Sequence, residues 1–420
     1  MQAYSTPTND TGEADDSLKN LASVLGPDER IGLLTGCQDR PYVFGLAMAL
    51  ASRNVPLDVV GNEEVDGPEM HATPNLRFLN VRESRRRKAS PAKKVLELLA
   101  YYLRIIRYAM QTDSKILHIL WNNKFEFFDR TVLMQYYKMH GKKIALTAHN
   151  VNQARRDSKD SLLNRLTLKI QYQLSDHIFV HTEKMKIELV EDFCVTDEKI
   201  TIIPFGINNA VPHTQLTTAE AKWDLGIKPS EKAILFFGRV RPYKGVENLL
   251  AGYEQLLTRG SDYRLIIAGE PKKESQDYLN EIQQTISRID GAGRIISKID
   301  FIPDADVEKF FKAADVLVLP YKEIFQSGVM FLAFSFGLPV IAADVGSFKE
   351  EIIEGHTGLL CNPGDPLDLA NTIDRYFGSE LYRNLEERRP EICEFAHARH
   401  SWDVVADKTV AVYRELLASD

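Results

Sequence analysis

Long apolar runs are missing from this sequence. No window reaches the roughly eighteen uncharged apolar residues that a helix needs to cross a bilayer. The opening residues, 1–16, are polar and acidic and lack the basic start and apolar run of a secretory signal. The sequence therefore predicts no spanning segment, and we expect residues 1–26 to form a disordered tail.

Cysteine is scarce as well. The four cysteines, Cys37, Cys194, Cys361 and Cys393, are far apart and show no ligand-like pairing. This spacing argues against a structural zinc site and indicates a reduced, cytoplasmic setting. Motifs that read nucleic acid are also lacking, so we expect no nucleic-acid partner.

The chain does contain the pattern of a two-domain α/β protein. Its 420 residues suit two domains, and short β-branched runs alternate with helical patterns throughout. We expect two facing Rossmann-like domains, with a cleft at the carboxyl edges of their strands, where open sheets bind ligands. The expected units are an N-terminal domain (27–208), a linker (209–217), a C-terminal domain (218–398) and a last helix (399–420).

The individual elements follow from the same pattern. Predicted strands of the first half are residues 31–35, 55–60, 115–120, 143–147, 177–181 and 200–205. Those of the second half are residues 233–237, 263–268, 316–320 and 339–342. Helical periodicity marks residues 246–258, 306–314, 327–336 and 402–417.

The sharpest local motif is FFGRVRPYKGVENLL, residues 236–250. A buried strand runs into Gly238, and Arg239 and Lys244 then flank a short turn before a helix. A diphosphate needs a small residue for close approach, cations and helix-end N–H groups. The alternative is an ordinary strand–turn–helix with surface charges, but both cations at this spacing favour an anion site.

A second motif is YKEIFQSGVMFLAFSFGLPVIAADVG, residues 321–346. Here a loop leads into a helix that opens near Ser327, Gly328 and Val329. The first N–H groups of that helix point at whatever lies at its end, Ser327 can donate a hydroxyl, and Gly328 permits close approach. Ser327 as a simple helix cap is the alternative, and capping is compatible with phosphate binding.

Basic charge is concentrated in one region of the first half. Residues 77–143 carry 16 Lys and Arg against 5 Asp and Glu, a net +11, whereas residues 211–420 carry 24 against 33, a net −9. Arg85, Arg86, Arg87 and Lys88 precede a helical pattern with apolar residues at Val95, Leu98, Leu99, Tyr102, Ile105, Ile106 and Ala109. Such a helix can lie on an anionic membrane surface, or it can pack in the domain with a solvated basic face.

Together these motifs resemble the retaining glycosyltransferases of family 4, which have the GT-B fold. The resemblance runs from Ile31 to Leu417 and includes GRVRPYKGV, AADVLVLP, GLPVIAADVG, HTGLL and NPGDP. It implies that Arg239 and Lys244 bind the donor diphosphate and that the last helix returns to the first domain. It also implies donor contacts from the glycine loop at Gly36, from Gly238, and from the loop Glu323, Gln326, Ser327, Gly328 and Val329.

His149 is the candidate that faces the transferred sugar. It follows the strand 143–147 and so lies at the cleft edge; similar enzymes place a His or Asp here. A lone histidine after a strand is more often structural, and Gly36 by composition alone is a turn glycine. Position and resemblance together favour a role in the site for His149.

The sequence departs from the family at two positions. Its members have two glutamates eight positions apart, and these fall on Ile324 and Leu332, neither of which is acidic. Glu323 is one position from the first and is a candidate substitute. Either the donor ribose is held differently, or donor binding is weak or absent.

A metal site is not expected. Asp304-Ala305-Asp306 spells the D-x-D that holds a metal in other glycosyltransferases, but it follows strand-like residues 299–302 and opens a helix. Aspartates there are explained as N-cap and first-turn residues. We expect no cofactor, with a UDP- or GDP-linked sugar as co-substrate.

The expected function is transfer of a hexose-type sugar from a nucleoside diphosphate sugar to an acceptor hydroxyl, with retention, in polysaccharide or glycolipid assembly. The acceptor is expected to be a lipid-linked or other glycan, met by a cytoplasmic enzyme that docks on the inner face of a membrane. Two alternatives remain open: a sugar-nucleotide epimerase of the same fold, and a non-catalytic pseudo-glycosyltransferase subunit.

Overall fold

The computed structural model describes residues 29–82, 90–156, 160–208, 211–260, 262–271, 276–291 and 293–419. The expected tail (1–26), the basic run from Arg85 to Lys88 and the first two residues of the expected linker lie outside these ranges. None of the helices in the described ranges combines the length and the apolar character needed to cross a bilayer.

The first half of the chain forms a parallel sheet covered by helices. Its strands are β1 (Ile31–Leu34), β2 (Leu57–Asn62), β3 (Leu76–Arg82), β4 (Ile116–Ile119), β5 (Lys143–Thr147), β6 (His177–Val180) and β7 (Ile200–Ile202). They lie in the order β3-β2-β1-β4-β5-β6-β7. The helices are α1 (Arg40–Ser52), α2 (Pro68–Ala72), α3 (Pro91–Gln111), α4 (Glu126–Phe128), a π-helical turn (Asp129–Leu133), α5 (Met134–Met139), α6 (Gln153–Arg156), α7 (Leu162–Leu174), α8 (Glu183–Phe193) and a 3-10 turn (Asp197–Lys199).

The second half repeats this architecture. Its strands are β8 (Lys232–Phe237), β9 (Tyr263–Ala268), β10 (Ile295–Lys298), β11 (Val316–Leu319), β12 (Val340–Ala343) and β13 (Gly358–Cys361). They lie in the order β10-β9-β8-β11-β12-β13. The helices are α9 (Thr218–Asp224), a 3-10 turn (Pro242–Lys244), α10 (Val246–Arg259), α11 (Gln276–Ile289), α12 (Asp304–Ala313), α13 (Gly328–Ser335), α14 (Phe348–Glu351), α15 (Pro366–Phe377), α16 (Glu380–Arg383), α17 (Leu385–His400) and α18 (Trp402–Ala418).

The expected fold of two Rossmann-like domains is confirmed, because every strand pair in both sheets is parallel and helices cover them. Central strands such as β8 and β11 are continuous apolar runs because both of their faces are buried. The domain boundaries given above remain a prediction.

Three strands at the sheet edges were not recognised from the sequence pattern. β3, β10 and β13 were not predicted, and each occupies an edge of its sheet. An edge strand needs fewer apolar residues, and β3 and β10 carry exposed polar residues among their apolar ones. The strand-like character assigned to residues 299–302 is wrong, since the strand ends at Lys298.

The last helix, α18, packs on the first domain. Trp402 at its start donates from Nε1 to the carbonyl of Ile207 at 2.7 Å. Its ring leaves room only for glycine at two positions, since a Cβ would lie 2.0 Å from it at Gly45 and 2.5 Å at Gly206. Farther along, the Tyr413 hydroxyl contacts His118 Nδ1 at 2.6 Å. The helix therefore joins the two domains.

His118 gives the fold a dependence on pH. It lies fully buried in β4 between Tyr413 and Thr147, and burial lowers its pKa to about 3. An unfolded histidine has a pKa of about 6.5, so below that pH the unfolded state binds a proton that the folded state excludes. Stability should therefore fall as the pH drops from about 6.5 towards 3, by about 2 kcal/mol at about pH 5 for this residue.

Urea unfolding at about pH 7, 6 and 5 measures this effect. His118→Gln should lose less stability on acidification than the wild type does, whatever its stability at neutral pH. His140→Gln, a control at an exposed histidine, should keep the wild-type slope. Equal slopes for the wild type and His118→Gln would show that His118 does not stay neutral.

Candidate active site

A cavity of about 430 Å³ lies between the two sheets, where their strands end. The first domain lines it with residues that follow β1, β4, β5 and β6: Asp39, Tyr42, Trp121, His149, Asn150 and His181. The second domain lines it with residues that follow β8 and β11: Tyr243, Lys244, Ile324, Gln326, Ser327, Gly328, Val329 and Leu332. Six residues of the sequence-predicted site thus meet in one cavity.

Lys244 forms part of one wall. It ends the 3-10 turn after β8 and is buried, with 7% of its surface exposed. Its ammonium donates to the Tyr321 hydroxyl at 2.5 Å and lies 3.9 Å from the centre of that ring. Burial raises the pKa of Tyr321, so the phenol stays neutral. Tyr321 therefore positions the ammonium without neutralising it.

The loop before α13 brings buried polar atoms that have no hydrogen-bond partner among the described residues. Ser327 is the N-cap residue of α13, yet its side chain makes no capping hydrogen bond. Its hydroxyl and both amide atoms of Gln326 are buried without a hydrogen-bond partner among the described residues. Buried polar groups are normally hydrogen-bonded, so these atoms indicate the place of a ligand. Together with Lys244 and the positive end of α13, they suit an anion.

His149 forms the opposite wall, and its hydrogen bonds fix its tautomer. Its Nδ1 lies 2.9 Å from His181 Nε2, and His181 Nδ1 lies 3.2 Å from the Ile203 carbonyl. The carbonyl oxygen can only accept a hydrogen bond, so His181 Nδ1 carries the proton. The Nε2 atom of the neutral ring then carries a lone pair and is an acceptor. His149 must then donate from Nδ1, which leaves its Nε2 as an acceptor.

That acceptor is prepared for a ligand. His149 Nε2 is buried and has no partner among the described residues. The ring stacks on Trp121 at 4.1 Å, and Tyr42 meets it edge-on at 4.6 Å. Burial, and next the neighbouring His181, lower the pKa of His149 well below its usual range. A neutral His149 can therefore accept a hydrogen bond from a hydroxyl.

Arg239 and Gly238 lie beside the cavity rather than in its wall. Arg239 is exposed. Burial raises the pKa of Asp39, while the Tyr42 amide and the charge of Arg239 lower it. Arg239 is thus within electrostatic reach of a residue that lines the cavity. A Cβ on Gly238 would touch the Val329 side chain at 3.4 Å, so this glycine lies against the loop before α13.

Two other predicted residues lie farther away. Gly36, at a φ of +57°, supports the turn that holds Trp121, since a Cβ there would lie 2.7 Å from the Trp121 carbonyl oxygen. Glu323 lines a neighbouring cavity of about 450 Å³ with charged residues of both domains. At the positions of the family glutamates, Ile324 and Leu332 present apolar side chains to the main cavity.

The two aspartates of the D-x-D sequence are placed in the first turn of α12, with Pro303 as the N-cap residue. The expectation that one of them caps the helix is wrong, because Pro303 occupies that position. Neither aspartate is among the described residues that line the cavity.

Several site residues were missed by sequence reasoning. Trp121 and His181 follow the ends of β4 and β6, as His149 follows β5. The rule that ligands bind at the carboxyl ends of strands would have found both. Asp39 and Tyr42, at the start of α1, gave no signal in composition or spacing.

Comparisons of the sequence with known proteins identify a family. The family model of glycosyl transferases group 1 matches residues 231–378, and that of glycosyltransferase family 4 matches residues 41–211. The D-inositol 3-phosphate glycosyltransferase of Corynebacterium diphtheriae is 24% identical over 391 residues, or 90% of each chain.

Solved structures share the fold. The sucrose-phosphate synthase of Thermosynechococcus elongatus has a TM-score of 0.74 at 20% identity. The match covers 93% of this chain and 100% of that one. HepE of Anabaena, solved with UDP and glucose, has a TM-score of 0.70 at 17% identity, covering 93% of this chain and 99% of that one.

Two facing parallel-sheet domains with a cleft between them are the fold that this chain shares with these structures. The two family models match most of both domains, and the chain belongs to the group 1, family 4 glycosyltransferases. It is therefore an enzyme that transfers a sugar, as the sequence motifs indicated.

The tautomer of His149 can be measured directly. Long-range ¹H–¹⁵N spectra of protein labelled at histidine should show a proton on Nδ1 and a lone pair on Nε2, without titration between about pH 6 and 8. The spectrum of His149→Gln assigns the signal. A proton on Nε2, or an imidazolium at about pH 7, would contradict the hydrogen-bond chain from Ile203.

Proposed function

We propose that this glycosyltransferase moves a hexose from a UDP- or GDP-linked sugar to an acceptor hydroxyl, with retention of configuration. The observation that carries the proposal is the pair of facing walls. Buried Lys244, unpartnered Gln326 and Ser327, and the start of α13 suit a diphosphate on one side, and the Nε2 acceptor of His149 suits a sugar hydroxyl on the other. The complex of HepE with UDP and glucose, in a protein of the same fold, supports this choice of donor.

The reaction then follows from these groups. The acceptor oxygen bonds to the anomeric carbon on the face from which the diphosphate leaves. The bond from that carbon to the phosphate oxygen breaks, with its electron pair going to the diphosphate, and the acceptor proton passes to the departing oxygen. Lys244, Arg239 and the N–H groups at Ser327–Val329 stabilise the charge that grows there, in place of a metal. His149 orients the sugar ring.

The ribose needs a partner other than the family glutamate. Leu332 offers no hydrogen bond, but the Gln326 amide lines the same cavity. Its Nε2 donor and its Oε1 acceptor have no hydrogen-bond partner among the described residues. We propose that this amide takes over part of the ribose contact. The alternative of a non-catalytic subunit rests on Ile324 and Leu332, and it would bind no nucleoside diphosphate. An epimerase would instead release a rearranged sugar nucleotide without any acceptor.

Lys244→Ala and Arg239→Ala should chiefly lower turnover, because both cations act on charge that appears in the transition state. Loss of one such contact typically costs about a hundredfold or more in rate. The measurement is steady-state transfer from the cognate donor, with Lys298→Ala as a control at an exposed lysine of the same domain. Wild-type rates in both variants would remove the diphosphate assignment.

We also propose that the acceptor is lipid-linked and that the first domain docks on an anionic membrane. Helix α3 carries two apolar faces. Tyr102, Ile105 and Ala109 are buried in the domain, as the packing alternative required. The second face is exposed, with exposed fractions of 66% at Leu96 and 66% at Leu103. Packing therefore does not account for all the apolar residues of this helix.

This exposed face does not stand alone. Val95 and Leu99 belong to it, and Phe125, Phe127, Leu162, Leu163 and Leu166, on neighbouring segments of the first domain, are exposed as well. Contiguous exposed apolar surface usually marks an interaction site. The excess of basic residues over acidic ones in 77–143 adds attraction to anionic lipid, at about 1 kcal/mol for each engaged side chain.

Co-sedimentation with liposomes tests the docking. Binding should require anionic lipid, weaken with salt, and fall when Leu96, Leu99 and Leu103 become Ser or when Arg85, Arg86, Arg87 and Lys88 become Ser. Leu367→Ser, at an exposed leucine of the second domain, is the matched control and should bind like the wild type. Equal recovery of all forms in the supernatant would point to a soluble acceptor.

A further inference from the structure

A second cavity, of about 270 Å³, lies in the first domain next to the cleft. Six side-chain amides line it, and we call it the amide cavity after them: Gln38, Asn122, Asn123, Asn150, Gln153 and Gln171. Trp121, His149 and Asn150 line both cavities. A molecule in the amide cavity would therefore adjoin the proposed position of the donor sugar.

The amides are held in fixed orientations. Asn122 and Gln171 exchange reciprocal hydrogen bonds, at 3.2 Å from Asn122 Nδ2 and 2.8 Å from Gln171 Nε2. Gln38 Nε2 donates to the Asn122 carbonyl at 3.1 Å. An amide has two donor hydrogens and two acceptor lone pairs, so this pairing alone leaves each side chain capacity for both roles. Hydroxyl groups also donate and accept, which makes such a surface suitable for a polyol or sugar.

The cavity offers little to a phosphate. Among the described residues that line it, Arg130 and Glu126 carry the charges, and they pair with each other at 2.8 Å. The other end of the guanidinium donates to Asn164 Oδ1 at 2.9 Å. A phosphate is normally bound by a guanidinium fork that is free to make two parallel hydrogen bonds. Here both terminal nitrogens have partners, and the buried Nε is the one guanidinium nitrogen without a partner among the described residues. One N–H offers a phosphate a single hydrogen bond instead of two parallel ones, and Glu126 would repel a second anion.

We infer that the amide cavity binds an uncharged, hydroxyl-rich acceptor and discriminates against a phosphorylated one. The inference rests on the proposed function. If a donor sugar binds beside His149, the adjoining amide cavity is where the acceptor of that sugar would lie. It assigns Asn122 and Gln171 to acceptor recognition, and it makes Glu126 a specificity residue that acts through Arg130. A lipid-linked glycan that ends in an uncharged sugar meets the requirement.

The test compares matched pairs of acceptors: methyl glucoside, methyl galactoside and methyl mannoside, each against its 6-phosphate. Saturation-transfer NMR measures binding at millimolar concentration without any need for turnover. Neutral glycosides should bind and their phosphates should bind more weakly. Tighter binding of the phosphates, or no binding of any neutral glycoside, would overturn the inference.

Substitutions at residues that line the amide cavity test whether the glycosides bind there. Gln171→Glu exchanges an amide for an anion of the same shape and should weaken neutral glycosides about tenfold. Gln173→Glu, at an exposed glutamine of the same helix, should not. Glu126→Gln frees Arg130 and should improve binding of the phosphates about two- to fivefold, whereas Glu254→Gln, in an ion pair with Arg288, should leave it unchanged. Identical profiles for Gln171→Glu and the wild type would exclude this cavity.

Donor use is measured separately, as release of nucleoside diphosphate from UDP- and GDP-sugars. An enzyme that consumes donor but prefers phosphorylated glycosides would overturn the acceptor inference and leave the proposed function intact. An enzyme that binds no donor would overturn the proposed function, while the glycoside titrations would still decide what the amide cavity binds.

Discussion

The packing of Trp402 holds the last helix, which follows the second domain along the chain, against the first domain. The indole contacts Gly45 and Gly206 so closely that neither could carry a side chain, and its N–H binds the Ile207 carbonyl. The same ring lies 5.1 Å from Tyr42, which packs against His149, and it lines the main cavity. One buried side chain at the start of the last helix therefore links that helix to the cavity wall that carries His149.

The two walls differ in their electrostatics, and the difference suits sugar transfer. The second domain concentrates positive potential through Lys244 and the start of α13. The first domain presents histidines kept neutral by burial, which lowers the pKa of His181 to about 4. Because a neutral His149 exposes a lone pair, it can bind a sugar hydroxyl without competing for the diphosphate. In the proposed donor position, positive charge is thus concentrated at the leaving group, where it would lower the barrier.

The sequence predicted the strands correctly where burial requires a continuous run of apolar residues. Central strands are continuous apolar runs, and β5 and β9 have the predicted bounds. The edge strands β3 and β10 lack this pattern because exposed polar residues interrupt their apolar ones. The edge strand β13 was missed although it is apolar and largely buried, whereas the edge strand β7 was predicted. Likewise, Lys244 and Ser327 could be found by motif, and Trp121 and His181 by their place at strand ends, but only the sheet order shows that β4 and β6 lie beside β5 and bring both residues to His149.

The central claim is that Lys244 and the loop before α13 hold a nucleoside diphosphate. Isothermal titration of the wild type and Lys244→Ala with UDP, GDP and ADP measures this directly, without an acceptor. The account predicts that the wild type binds UDP or GDP and that Lys244→Ala binds it about tenfold more weakly or worse. Failure of the wild type to bind any of the three, or equal affinity in the variant, would contradict it.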